Sequence, residues 1–165
     1  MNVRMIWAGL GLVLFTFLDL ATKSLAQTRL RGQPAIPVIP GFWDFQYAEN
    51  RDVGFSLLRA VPHDIRQPLI FFLVGMGVLV VLGYAFRMKQ HRAPFIGAVM
   101  VASGALGNLI NRAQDGYVTD FILWYFKDFH WPVFNLADVY VVSGMFLILW
   151  HEWRAPADSP ASPSP

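Results

Sequence analysis

Two aspartates invite a chemical reading before anything else. Asp120, in Val118-Thr-Asp-Phe-Ile122, and Asp138, in Phe134-Asn-Leu-Ala-Asp-Val139, stand among apolar residues near the ends of apolar segments. A carboxylate inside a membrane-spanning segment costs about 2.5–3.5 kcal/mol on insertion scales, so an acid kept there points to work. Two carboxylates brought to about 4 Å at an effective dielectric near 20 repel by about 4 kcal/mol, or roughly three pKa units. Such a pair shares one proton and titrates as a unit. One carboxylate can then take a proton from an attacking water while its protonated partner hydrogen-bonds the carbonyl under attack.

Other polar residues gather near the ends of the same segments: Asp19, Lys23, Asn108, Arg112 and Asn135. Each has a plainer reading. Asp120 could cap an interfacial turn, and Asp19 with Lys23, four apart in the favourable acid-first order, suits a structural ion pair on one helix face. Asn108 could bond a neighbouring helix, and Ser103, Gly104 and Gly107 suit close helix contacts. Asn108 and Arg112 are four apart and Asn135 and Asp138 three apart, so each pair shares a helical face.

The elements that must position these residues are apolar blocks. The 165-residue chain is 55% hydrophobic and only 15% charged, well below the roughly 25% usual in soluble domains. Spans are expected at about 5–26, 68–87, 93–112 and 133–151, each long enough to cross about 30 Å of hydrocarbon. Counting the last helix from Pro132 puts Asp138 about 9 Å along it. The first block also imitates a secretory signal peptide, with Arg4, an apolar run and Ser24-Leu-Ala26. Asp19 and Lys23 precede that mock cleavage site, where such a segment should stay apolar, so a retained helix is expected.

Residues 27–67 form a long loop between the first two blocks. Pro34, Pro37 and Pro40 keep its start extended. In Phe42-Trp-Asp-Phe-Gln-Tyr47, Trp43, Phe45 and Tyr47 alternate as one face of a strand, for which Phe55-Ser-Leu-Leu58 is a candidate partner. A small sheet at the lipid–water boundary is expected, its aromatics at headgroup depth. Residues 1–154 thus read as one membrane domain, with a disordered Pro/Ser/Ala-rich tail over 155–165.

Four spans put both termini and the basic Arg87–Arg92 turn on one side. A raw count gives five Lys or Arg on that side and eight on the other. The positive-inside rule weights short loops, and the densest basic cluster is that turn, so termini inside are preferred. The thirteen Lys and Arg are otherwise scattered, which speaks against nucleic-acid binding. Absence of cysteine removes thiol nucleophiles, Cys-based zinc sites and self-lipidation on cysteine. The four histidines lack ligand spacing, so neither a metal nor another cofactor is expected. A proton-coupled transporter subunit using Asp138 as a relay is an alternative, weakened by the lack of repeat-like broken helices. A scaffold whose acids merely pair with Arg112 and Lys23 is another.

Phe17-Leu-Asp-Leu-Ala-Thr-Lys23, Gly104-Ala-Leu-Gly-Asn-Leu-Ile-Asn-Arg112, Val118-Thr-Asp-Phe121 and Phe134-Asn-Leu-Ala-Asp138 together resemble the successive motifs of the lipoprotein signal peptidase (signal peptidase II) family. The resemblance implies an all-α fold of four transmembrane helices with a small extracytoplasmic β-sheet and loop subdomain. It implies an aspartic endopeptidase of the bacterial inner membrane, both termini cytoplasmic and the site near the periplasmic face. The substrates would be diacylglyceryl-modified prolipoproteins, cut before the lipidated cysteine, by an enzyme expected to be a monomer among membrane lipids. Asp120 and Asp138 would be the catalytic dyad. Asp19, Lys23, Asn50, Gly104, Asn108, Arg112 and Asn135 would support the site or bind substrate. Two positions depart from the family pattern: Asp52 stands where glycine is usual, and Asn111 where aspartate more often precedes the arginine.

Overall fold

A computed structural model of the chain describes residues 3–51, 62–88 and 90–154. Their order is α1 (Val3–Leu30), β1 (Ile36–Ile39), β2 (Trp43–Asn50), α2 (His63–Arg87), α3 (Arg92–Asp115), β3 (Val118–Phe126), β4 (Phe129–His130) and α4 (Leu136–Arg154). The fold is mostly helical, with one small antiparallel sheet.

Helices α1, α2 and α3 are long and apolar enough to cross a membrane. The first runs unbroken through Asp19 and Lys23 to Leu30, four residues beyond the expected end. Helix α2 starts at His63, earlier than expected, and takes Pro68 into its body. Helix α4 has 19 residues, with Asp138 near its start and His151, Glu152 and Arg154 at its end. Those polar ends keep it out of the group defined by length and hydropathy. The helix α3 is central and packs against the other three. At the end remote from the sheet, Ala85, Phe95, Ala98 and Val99 form an apolar cluster with Phe15 and Ile148 against it.

The sheet order is β1-β2-β3-β4, so both edges of β2 are taken, by β1 and β3. The candidate partner strand at 55–58, the residue Asp52 and the tail 155–165 lie outside the described residues. Strand β3 was not foreseen, because its burial pattern is continuous at first rather than alternating. Such a run cannot be told from a helix end by periodicity alone. The aromatics of the sheet divide into inward-packed and exposed rings. Phe45 and Tyr47 pack inward with Ala26, Leu30 and Phe121, so they are half-buried. The exposed rings belong to Phe42 and to the β3–β4 hairpin and its exit: Trp124, Phe126, Phe129 and Trp131.

One feature of the sheet governs the site. Phe121 and Ile122 both donate backbone N–H bonds to the Phe134 carbonyl, and Phe134 N–H returns to the Ile122 carbonyl. The segment entering α4 is thereby strapped to the middle of β3. Helix α4 starts at Leu136, so Asp138 lies in its first turn rather than about 9 Å along it.

Candidate active site

Strand β3 leaves α3 through Gly116, whose φ of 79° is a left-handed cap that suits glycine. Two residues into the strand, Asp120 is 2% exposed, opposite Ala48 of β2. Asn50, at the end of β2, donates from Nδ2 to Asp120 Oδ2 at 3.0 Å, and its carbonyl accepts from Arg112 Nη2 at 3.3 Å. Asn135 Nδ2 donates to the other oxygen, Asp120 Oδ1, at 2.6 Å.

Asn135 and Asp138 form a reciprocal cap at the start of α4. Asp138 N–H donates to Asn135 Oδ1 and Asn135 N–H to Asp138 Oδ2, both at 3.1 Å. This is the capping-box arrangement with asparagine and aspartate in its two places. It satisfies two backbone donors and fixes both side chains. The three-residue spacing was visible in the sequence; its role as a cap was not recognised there.

The amide orientations follow from groups that can only donate, the Asp138 N–H for Asn135 and Lys23 for Asn108. Lys23 Nζ bonds Asp19 Oδ2 at 2.7 Å and Asn108 Oδ1 at 2.6 Å. A lysine ammonium has no acceptor, so the Asn108 oxygen must face it. That leaves Asn108 Nδ2 to donate to Asp138 Oδ1 at 3.0 Å, and Asn108 Oδ1 also accepts from Asn135 Nδ2 at 3.1 Å. Asn108 thus donates to Asp138, while Asn135, whose oxygen accepts the Asp138 N–H, donates to Asp120 and to Asn108. Asp19 completes the frame by accepting from Ala137 N–H at 2.9 Å, one of the free donors of α4's first turn.

Two glycines make the approach possible. A Cβ at Gly107 would strike the Asp19 carboxylate, and one at Gly104 would strike the Ala137 carbonyl. Gly104 therefore acts by letting the first turn of α4 close on α3, not by lining the cavity.

The cavity so formed is about 240 Å³. Its polar walls are Asn50, Asn108, Arg112, Asp120, Asn135 and Asp138, with Val74 of α2 and Ala105, Leu109 and Val118 opposite. This is room for several waters at about 30 Å³ each. Burial, and then the Asp138 charge, push the Asp120 carboxyl up to about 6, against the opposing hydrogen bonds from Asn50 and Asn135. Among the described residues neither acid is hydrogen-bonded to a cation, and Arg112 and Lys23 act on both through their charge. No three His, Cys, Asp or Glu among those residues converge as a metal site.

A second polar network, buried at Asn111 and Thr119 and exposed at Asp115, escaped the sequence reading. Asn111, 3% exposed, donates to Asp115 Oδ2 and accepts from Thr119 N–H, both at 2.7 Å. Gln27 Nε2 reaches Asp115 Oδ2 at 2.6 Å and Thr119 Oγ1 at 2.8 Å. An aspartate at 111 would set a carboxylate oxygen against that of Asp115, so asparagine suits this chain. The available signal was Gln27 itself, four residues beyond Lys23 and so on the same face of α1.

Residues 12–154 match the family model of signal peptidase (SPase) II. The lipoprotein signal peptidase of Solibacter usitatus is 36% identical over 145 residues, covering 87% of this chain and 88% of that one. That of Sulfurihydrogenibium sp. is 32% identical over 159 residues, covering 93% and 96%. A bacterial membrane enzyme solved by the in meso method at 1.9 Å resolution superposes with a TM-score of 0.73 over 92% of this chain and 94% of that one. At 22% identity, it shares the fold. The motifs in order, the long apolar helices and these matches over nearly the whole length lead to one conclusion: the chain belongs to the signal peptidase II family and is a peptidase.

Proposed function

We propose that the chain is a membrane-embedded aspartic endopeptidase that removes the signal peptide from diacylglyceryl-modified prolipoproteins, cutting before the lipidated cysteine. The observation that carries this reading is Asn135, which holds Asp120 through its side chain and Asp138 through both its side chain and its backbone. Two carboxylates are thereby fixed in one small polar cavity with the electrostatics of a dyad.

In the mechanism, Asp120 keeps the proton, since burial and its neighbour favour its neutral form. Asp138 takes a proton from the water as its oxygen attacks the scissile carbonyl. Asp120 hydrogen-bonds the carbonyl oxygen and stabilises the developing negative charge. The tetrahedral species collapses as Asp138 returns its proton to the leaving nitrogen, freeing the lipidated cysteine's amine. Asn108 and Asn135 hold the carboxylates, and Arg112 with Asn50 closes the side towards β2.

Helix α4 completes a set of four spans, in a single domain over residues 1–154. Both termini are cytoplasmic, the sheet lies at the periplasmic face of the inner membrane, and the enzyme works as a monomer among lipids. A site at the sheet end of the helices lets acyl chains stay in lipid while the peptide bond reaches water.

The test uses purified protein and a synthetic diacylglyceryl precursor, beside Asp120→Asn and Asp138→Asn. Each variant is expected to lose about 10²–10⁴-fold in kcat, the range for a positioned acid or base. Wild-type cleavage should fall before the lipidated cysteine and persist with chelators. Full activity in either variant sinks the dyad.

A further inference from the structure

We infer that the apolar groove between the β3–β4 hairpin and α4 seats an acyl chain carried by the residue after the scissile bond. This deepens the proposed function and rests on it.

The groove encloses about 310 Å³ between Trp124, Trp131 and Phe134 on one side and Val139, Val142 and Ser143 on the other, with Asp138 at its end. Asp138 also lines the polar cavity. Asp138 therefore stands in the wall between two spaces of opposite character. A substrate lipidated on the residue next to the scissile bond has the same division: a polar peptide bond and, a few atoms away, an apolar branch. When the peptide bond enters the polar cavity, the branch has an apolar groove starting at the same residue.

Depth agrees with that assignment. Val142 lies four residues past Asp138, about 6 Å further along α4. It is 69% exposed, as are its lipid-side neighbours Phe146 at 62% and Leu149 at 59%. The groove thus runs from Asp138 to Val142 and Ser143, on a face of α4 that is exposed among the described residues. Its ring wall is braced: Trp124 meets Phe134 edge-on at 5.0 Å and stacks on Phe42 at 5.9 Å. The bridge between Ile122 and Phe134 holds that wall against α4.

Two other apolar cavities lack the connection. One of about 500 Å³ lies among Leu25, Leu30, Phe45 and Phe121, and one of about 220 Å³ among Met5, Leu82, Phe95 and Val99. Neither includes Asp120 or Asp138.

The experiment compares one precursor peptide carrying dipalmitoyl or dibutyryl glycerol on its cysteine, cleaved by full-length wild type and by Val142→Trp in detergent. The indole fills the groove from an exposed position, so helix packing is not overfilled. The ratio of kcat/KM for long against short chains is expected to fall about tenfold, as loss of roughly two buried methylenes would give. An unchanged ratio overturns the groove, whether or not overall activity drops. Failure of wild type to cleave either lipidated precursor overturns the proposed function and this inference together. A palmitoyl chain bearing a terminal photoreactive group should label residues 124–131 and 139–143; label confined to the Leu25–Phe121 cavity also overturns it.

Discussion

The two ends of the helix bundle are built on opposite principles. Away from the sheet, α1, α2, α3 and α4 meet through apolar contacts of Phe15, Ala85, Phe95, Ala98, Val99 and Ile148, with a Tyr84 to Glu152 hydrogen bond beside them. At the sheet end, α1, α3 and the start of α4 meet through Asp19, Lys23, Asn108, Asn135 and Asp138, each held by hydrogen bonds of 2.6–3.1 Å. Apolar contacts tolerate small shifts. A donor-only lysine on Asn108 and a backbone N–H on Asn135 fix which atom faces which. The apolar end can hold the helices together; the polar end can hold carboxylates at one geometry.

That difference can be broken from either side. The largest effect is expected for Lys23→Met, which leaves Asp19 buried without its cation and costs about 3–5 kcal/mol. Thermal unfolding in detergent would read it. The double variant Asp19→Leu/Lys23→Met should recover part of that stability, because no lone charge remains while the Ala137 N–H loses its acceptor. It should stay slow all the same, since Asn108 is no longer forced to donate to Asp138. Recovery of full activity in the double variant would show that the lysine does not order the amides.

At the other end, Phe95→Ala should cost about 2–3 kcal/mol, less than a sealed protein core because lipid or detergent can enter part of the space. Activity per folded molecule should hold within about twofold, since no directional bond there reaches the dyad. A large fall in kcat would erase the contrast between the ends.

A smaller effect concerns pH. Burial raises Asp120 from 3.8 to about 6, so the folded state binds a proton there that the unfolded chain releases earlier. Its contribution to stability is full below about pH 4 and is lost as pH rises through about 6. With Asp120 as the protonated partner, kcat/KM falls about tenfold per unit above an apparent value near 6. A profile that instead rises through 6 would make Asp120 the base and exchange the two roles.

The smallest change is expected at the neighbouring network. Asn111→Asp replaces the donor to Asp115 with a second carboxylate. Asp115 is exposed, so water screens the repulsion and the cost is about 1 kcal/mol at most. A loss of several kcal/mol would mean that this junction, and not only the dyad network, sets the position of β3.

Much of the site was legible because its chemistry is local. Asn135 and Asp138 three apart, Asp19 and Lys23 four apart, and Asn108 and Arg112 four apart are helical spacings, and apolar blocks around a few polar residues mark a membrane protein. The motifs in order led to the same family as the relatives. Strand β3 was less legible, because a strand buried on both faces loses its alternation, and its partners are β2 and the entry to α4, far off in sequence.

The sequence by itself determined the inventory: which residues ionise, which face of each helix they occupy, and that they live among apolar segments. Those properties depend on residue type and on a fixed helical period. The tertiary structure decided what they touch. The ladder between β2 and β3 sets Asn50 against Asp120, and the bridge to Phe134 brings Asn135 and Asp138 beside it. Close approach at Gly104 and Gly107 lets Asp19 reach the first turn of α4. Each is a contact between residues distant along the chain, and no period within one element encodes the distance between two.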